Sequence, residues 1–269
     1  LKEVSPGPVT IRLLDPPLHE FLPSQKNTEL IDLLAQKMKV SSKEIKNRII
    51  DLFEINPMLG HRGCRLAISF PEITEMQVEA IFKASYQLIN EGIKPNPEIM
   101  IPLVSTIGEF QNQKSVVEKI ANKLNKKFKI KLKYKIGTMI ELPRACLTAD
   151  QIAEKADFFS FGTNDLTQTT FGFSRDDIGS FIQDYFDNNI LQEDPFKTID
   201  QDGVGQLVKI AVKKAKQSKP KIKIGICGEH GGDPKSIYFF NAINLDYISC
   251  SPYRIPIAYL AAAKASFRK

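Results

Sequence analysis

The sequence predicts an α/β fold, specifically a (β/α)8 TIM-type barrel, and three observations carry that expectation. Short apolar runs alternate with amphipathic segments along all 269 residues. Most of the runs are continuously apolar, as strands covered by helices on both faces must be. Two of them end in polar groups at related positions. Glu141 closes 136–141, and Asn164 and Asp165, twenty-three and twenty-four residues later, close 158–165. One helix plus the next strand takes roughly that many residues, so both ends open on the same rim of a parallel sheet. An open doubly wound sheet is the competing architecture.

The elements follow in order. Residues 9–14 (VTIRLL) form a strand, ended by Pro16-Pro17, which cannot continue a ladder. Helical spacing covers 28–38, and 64–68 reads as a further strand. Amphipathic helices over 74–90 and 107–124 flank a strand at 98–103. Strand 136–141, helix 148–156 and strand 158–162 come next, then helix 204–216, strand 222–227, helix 234–241, strand 247–250 and a terminal helix over 256–267. These are seven strands where the barrel needs eight, so the first is expected upstream of Leu1. No linker or repeat divides the chain, and 1–269 reads as one domain. A start at Leu1 instead of Met marks it as a C-terminal fragment or processed form.

Composition narrows the function. Hydrophobic content of 42% with 25% charged residues is that of a globular domain long enough to bury a full core. No apolar run approaches the roughly 20 residues that span a bilayer, so no membrane partner is expected. Cys64, Cys146, Cys227 and Cys250 show no C-x-x-C spacing, which argues against a disulfide framework or zinc site and for a reducing, cytoplasmic setting. Targeting to an organelle stays open. Net charge is +6 with a pI near 9.0. Much of it lies in Lys127, Lys129, Lys131, Lys133 and Lys135, which read as a solvated run without a nucleic-acid module beside it.

Chemistry concentrates at the strand ends. Glu141 and Asp165 offer two hard oxygen ligands on one rim, with the Asn164 amide beside them, which suits Mg²⁺ shared with an oxygen-rich substrate. Arg12 lies inside an apolar strand, where it either pairs with Asp15, Glu141 or another carboxylate, or faces an anion. Arg62 stands between Gly60 and Gly63, which let a guanidinium and backbone approach an anion closely. His61 beside it is as readily a local hydrogen-bonding residue. Arg175 either pairs with Asp176 or Asp177, or joins the other arginines in a phosphate pocket. Cys227, near Gly225 and Gly228 at a strand end, is the thiol expected to be accessible and reactive, with a small buried thiol as the alternative. Cys250 ranks second, and Cys64 and Cys146 read as structural.

NPMLGHRGCRL (56–66), GTMIELPRACLTAD (137–150), FFSFGTNDLTQ (158–168), GICGEHGGDP (225–234) and SCSPYRIPIA (249–258) are long and specific. Together they resemble the C-terminal pyruvate/phosphoenolpyruvate-binding domain of the pyruvate phosphate dikinase family, from Val9 to about Ala265. Phosphoenolpyruvate synthase and enzyme I of the sugar phosphotransferase system share the FFSFGTNDLTQ-type motif and are the alternatives. The resemblance implies a (β/α)8 barrel, usually a homodimer, that transfers a phosphoryl group from a phosphohistidine on another domain to the pyruvate enolate. The overall reaction it implies converts ATP, phosphate and pyruvate to AMP, diphosphate and phosphoenolpyruvate (PEP). By motif, Glu141 and Asp165 would bind Mg²⁺, while Gly162, Thr163 and Asn164 would line the substrate pocket. Arg12, Arg62 and Arg175 would hold the phosphoryl group and enolate oxygen, and Cys227 would exchange the methyl proton. The phosphohistidine and ATP-binding domains, and an arginine on the barrel's first strand, lie outside this chain. Incomplete activity is therefore expected of it alone. A stand-alone lyase or mutase, and a PEP-binding module without catalysis, are the remaining readings.

Overall fold

The computed structural model describes residues 1–267. Six strands form one parallel sheet whose spatial order is the chain order: β1 (Val9–Arg12), β2 (Pro97–Ile101), β3 (Lys135–Ile140), β4 (Phe158–Gly162), β5 (Lys223–Cys227) and β6 (Tyr247–Ile248). The registers bring Arg12 opposite Met100, Ile101 opposite Thr138, Ile140 opposite Phe161 and Gly162 opposite Cys227. All C-terminal strand ends therefore share one rim. The architecture is that of a six-stranded part of a TIM-type barrel. The count of seven strands is corrected to six among the described residues, and the eightfold barrel goes beyond what this chain contains.

The segment responsible for the correction is 64–68. It lies in a short helix, Gly63–Ser69, with Gly63, Cys64, Leu66 and Ala67 buried at helical spacing. So short an apolar run fits either period. In chain order the helices are α1 (Thr28–Met38), α2 (Ser42–Asp51), α3 (Gly63–Ser69), α4 (Pro71–Asn90), α5 (Ile107–Phe128), α6 (Pro143–Leu147), α7 (Ala149–Lys155), α8 (Thr163–Phe171), α9 (Ile182–Asp187), α10 (Val204–Ser218), α11 (Pro234–Ala242) and α12 (Ile255–Ser266). α2 has no counterpart in the apolar pattern, but Ser41 and Glu44 form the capping box that starts it. Thr106 and Glu109 do the same for α5.

Burial separates two apolar regions. Ile99, Ile101, Ile136, Ile140, Phe159 and Phe161 point outward into the large core shared with Phe82, Phe110, Val208 and Phe240 of the helices. Full burial of each such side chain is worth about 1.5–3 kcal/mol. The alternate residues Met100, Met139 and Phe158 form a separate small cluster, with Cys227 against it. Strand alternation therefore aims Cys227 into the interior that the sheet curves around.

Candidate active site on the C-terminal rim

Most of the expected side chains sit where a strand gives way to a loop or helix. Arg12 is the last residue of β1, Gly162 of β4 and Cys227 of β5. Glu141 directly follows β3, and Thr163, Asn164 and Asp165 form the first turn of α8. Arg62 is the residue before α3, and Arg175 follows α8 after Gly172, whose φ of 69° ends the helix. Arg12, Arg62, Asn164, Asp165 and Arg175 line one cavity of about 410 Å³.

Arg62 ties this rim together. Its guanidinium is 4% exposed and clamps Asp165, with Nη1 donating to Oδ1 at 2.9 Å and Nη2 to Oδ2 at 3.3 Å. Nη2 also donates to Asp15 Oδ2 at 2.7 Å. Burial works against its charge, yet Asp165 and Asp15 outweigh that and raise the pKa further. Arg12 donates to the same Asp15 oxygen at 3.1 Å, so its partner is Asp15 and not Glu141. Its side chain is 46% exposed, which corrects the expectation of a buried-face arginine. Arg175 forms no ion pair among the described residues; only its backbone N–H is engaged, with Gln168 Oε1 at 2.9 Å.

Glu141 is fully buried. Its Oε1 accepts the Leu103 N–H at 2.6 Å, and Leu103 holds an unusual φ of 61° at that point. Its Oε2 has no partner. Burial, then the charges of Asp165 and Asp15, push its pKa up to about 8. Thr163 Oγ1 and Asn164 Oδ1 are likewise buried and unpartnered. A side chain at Gly162 would collide with the Glu141 carboxylate, so glycine is required there. No group of three or more His, Cys, Asp or Glu that could hold a metal exists among the described residues. Both Asp165 oxygens accept from Arg62, so the open oxygen is that of Glu141. The pair still suits Mg²⁺, which takes one or two carboxylates and completes its octahedron with substrate and water. The orphaned Glu141 oxygen is the local sign of that fit.

Cys227 is half-buried, less accessible than its neighbouring glycines suggest. The ring of Tyr247 lies across Gly225 and fills the space that glycine leaves. The thiol donates to the Phe161 carbonyl at 3.6 Å. Burial raises its pKa, while a hydrogen bond with Ser160 acts the other way. Cys250 borders a separate cavity of about 190 Å³ with Glu229 and Arg254. Cys64 and Cys146 are buried, and burial pushes both up to about 12, as inert core thiols. His61 bonds the nearby Ser69 hydroxyl at 2.8 Å. Sequence reasoning missed Asp15 as a centre, and Ser160 altogether. Asp15 was visible only as a possible ion partner, and Ser160 is one inward residue of an apolar strand.

The family model described as PEP-utilising enzyme, PEP-binding domain, matches residues 1–267. Among curated proteins, the chain is 57% identical over 257 residues to the chloroplastic pyruvate, phosphate dikinase of Flaveria trinervia, covering 96% of this chain and 27% of that protein. It is 56% identical to pyruvate, phosphate dikinase 1, chloroplastic, of Arabidopsis thaliana over the same shares. It is also 56% identical to pyruvate, phosphate dikinase 2 of Zea mays, covering 95% of this chain and 29% of that protein. The chain thus spans less than a third of the length of the curated relatives it matches. No helix among the described residues is long and apolar enough to cross a membrane, and relatives named chloroplastic give no support to a cytoplasmic setting. The chain belongs to the PEP-utilising enzymes, as their PEP-binding domain.

Proposed function

We propose that this rim carries the pyruvate half of a dikinase reaction, exchanging a phosphoryl group between a phosphohistidine on another domain and the enolate oxygen of pyruvate. The observation that carries this reading is the unpartnered, buried Glu141 carboxylate on the same rim as Asp165, Arg62 and Cys227. Glu141 and Asp165 would hold Mg²⁺, which supplies charge to polarise the keto oxygen and acidify the methyl protons of pyruvate.

The protein groups do the rest. Thr163 and Asn164, with orphaned oxygens, and the bare Gly162 shape a polar floor for a small carboxylate. Arg12 and Arg175 offer forked donors toward the equatorial phosphoryl oxygens, where charge is highest during transfer. Arg62, its own N–H groups engaged by Asp15, Asp165 and Met58, adds its positive charge beside them. Cys227 handles the proton. Toward PEP, its thiolate takes a methyl proton, and the enolate oxygen then forms its bond to phosphorus as the bond to histidine nitrogen breaks. Toward pyruvate, the thiol returns that proton to the methylene carbon. Burial keeps sulfur in the thiol form, which readies it for the second direction. The complete reaction of ATP, phosphate and pyruvate would require the ATP-binding and phosphohistidine domains of a longer polypeptide.

Calorimetric titration with oxalate, an enolpyruvate mimic, with and without Mg²⁺, tests the reading. Mg²⁺-dependent binding that Glu141→Gln abolishes is the expected result. Binding indifferent to both would sink the metal-enolate assignment.

A further inference from the structure

The interior beneath the rim is closed by a device used twice. Gly137 on β3 and Gly225 on β5 face inward without a side chain, and an aromatic ring from the next strand lies across each. The Phe158 ring covers Gly137, with its Cγ 2.6 Å from where a Cβ would stand, and the Tyr247 ring covers Gly225. Phe158 is wholly buried, and Tyr247 OH donates to the Phe159 carbonyl at 3.2 Å, so both rings are held in place. The next inward residues on these two strands are Met139 and Cys227, which lie above the rings on the side of the rim.

Met139 reaches the part of this floor that a substrate would cover. Gly162 stands on β4, between the strands of Met139 and Cys227, and it too is bare. A Cβ there would lie 2.6 Å from Met139 Cε and would collide with Glu141 Oε2. The methyl end of Met139 therefore enters the gap left by Gly162 and lies beside the unpartnered Glu141 oxygen. On its other side it packs in one small cluster with Met100, Phe158 and Cys227. An enolate with its oxygen held near Glu141 and its methyl carbon facing the Cys227 sulfur spans the same gap, with that carbon over Met139. Met139 is 4% exposed, and the buried Phe158 ring lies below it, so its side chain is held against the gap.

We propose that Met139, backed by Phe158, sets the depth of the pocket at the acceptor's third carbon and so selects pyruvate over 2-oxo acids with a longer chain. The inference rests on the reading of this rim as the pyruvate site and names what limits the acceptor's size there. Pyruvate carries only hydrogen on that carbon. The extra methyl of 2-oxobutyrate needs the volume that the Met139 methyl fills. An apolar pocket distinguishes one methylene by about 10- to 200-fold. Glu141, Thr163 and Asn164 face the carboxylate and keto oxygens, which both acids share, so the discrimination belongs to the apolar floor.

The quantity to measure is the ratio of kcat/KM for 2-oxobutyrate to that for pyruvate, on the full-length protein that carries this chain. The unaltered protein should favour pyruvate by about tenfold or more. Equal use of the two acids overturns the proposal whatever any variant does. Met139→Ala opens the floor and should raise the ratio on the order of tenfold, chiefly through activity gained with 2-oxobutyrate. Met139→Val, a smaller change, should move it the same way and carries the test should Met139→Ala fail to fold. Met100→Ala is the control. It removes the same side chain from the same cluster, but on β2 and away from Gly162, and should leave the ratio within about twofold. A ratio that rises equally in Met100→Ala would mean general loosening of the interior and would overturn the proposal. An unchanged ratio in folded Met139→Ala or Met139→Val overturns it as well. If the unaltered protein forms no PEP from pyruvate, the pyruvate-site reading itself falls, and the size limit with it.

Discussion

Two buried glutamates face the same interior from opposite ends of the sheet, and they are treated in opposite ways. Glu98, near the start of β2, is 1% exposed and fully engaged. It accepts Thr10 Oγ1 at 2.8 Å and Lys135 Nζ at 3.0 Å, with Lys223 Nζ at 3.6 Å. Glu141, beyond the end of β3, is equally buried but has one backbone N–H, an orphaned oxygen and two neighbouring carboxylates. Burial pushes both carboxyl groups up; at Glu98 the hydroxyl and lysines outweigh it, and at Glu141 nothing does. The difference teaches where this fold satisfies itself and where it waits for a ligand. Charge is closed off at the N-terminal end and left open at the C-terminal end, the end where such barrels keep their chemistry.

Exchanging each carboxylate for its amide should separate the two roles, and the largest effect belongs to the open end. Glu141→Gln should lower PEP turnover in the full-length protein on the order of a thousandfold, since a metal's charge stabilisation is worth several kcal/mol. Its urea midpoint should hold or rise, because an unpaired buried carboxylate no longer has to be accommodated. A large loss of stability would show that Glu141 is structural after all and would erase the contrast.

Glu98→Gln should do the reverse. The amide cannot serve both lysines and Thr10, so stability should fall by about 2 kcal/mol, the scale of a hydrogen bond to a charged group. Turnover per folded molecule should stay within about twofold, as expected of a substitution away from the reacting groups. If turnover collapses while stability holds, the N-terminal end has a catalytic part and the division between the ends is wrong.

How much of this was legible beforehand differs along the chain for physical reasons. The strand ends carrying Glu141, Asp165 and Cys227 stood out because strands covered on both faces are continuously apolar, so a polar terminus is conspicuous. Residues 64–68 misled because five residues cannot distinguish a period of 2 from 3.6. Helix α2 has only one buried residue, Ile49, so its signal was the Ser41–Glu44 cap and not its face. The cluster of Arg12, Asp15, Arg62 and Asp165 was out of reach. It joins residues up to 103 positions apart through side-chain geometry that spacing does not encode. Glu98 was unremarkable for the same reason, since its lysines arrive from β3 and β5.

The smallest effect sharpens the comparison most, because it depends on ionisation rather than on shape. Glu98 is held below its ordinary value of 4.5 in the folded protein, its lysines and Thr10 outweighing burial. The unfolded chain therefore takes up this proton first as the medium is acidified, and stability falls with falling pH. The contribution is whole above 4.5 and is lost as pH drops through the folded value. Glu98→Gln never has it. Urea midpoints of both proteins, followed from neutrality into acid, should start apart and converge below 4.5. A gap that stays constant into acid would mean that the cost of Glu98→Gln is one of hydrogen-bond geometry. The N-terminal end would then be closed by fit, and only the C-terminal end would owe its character to charge.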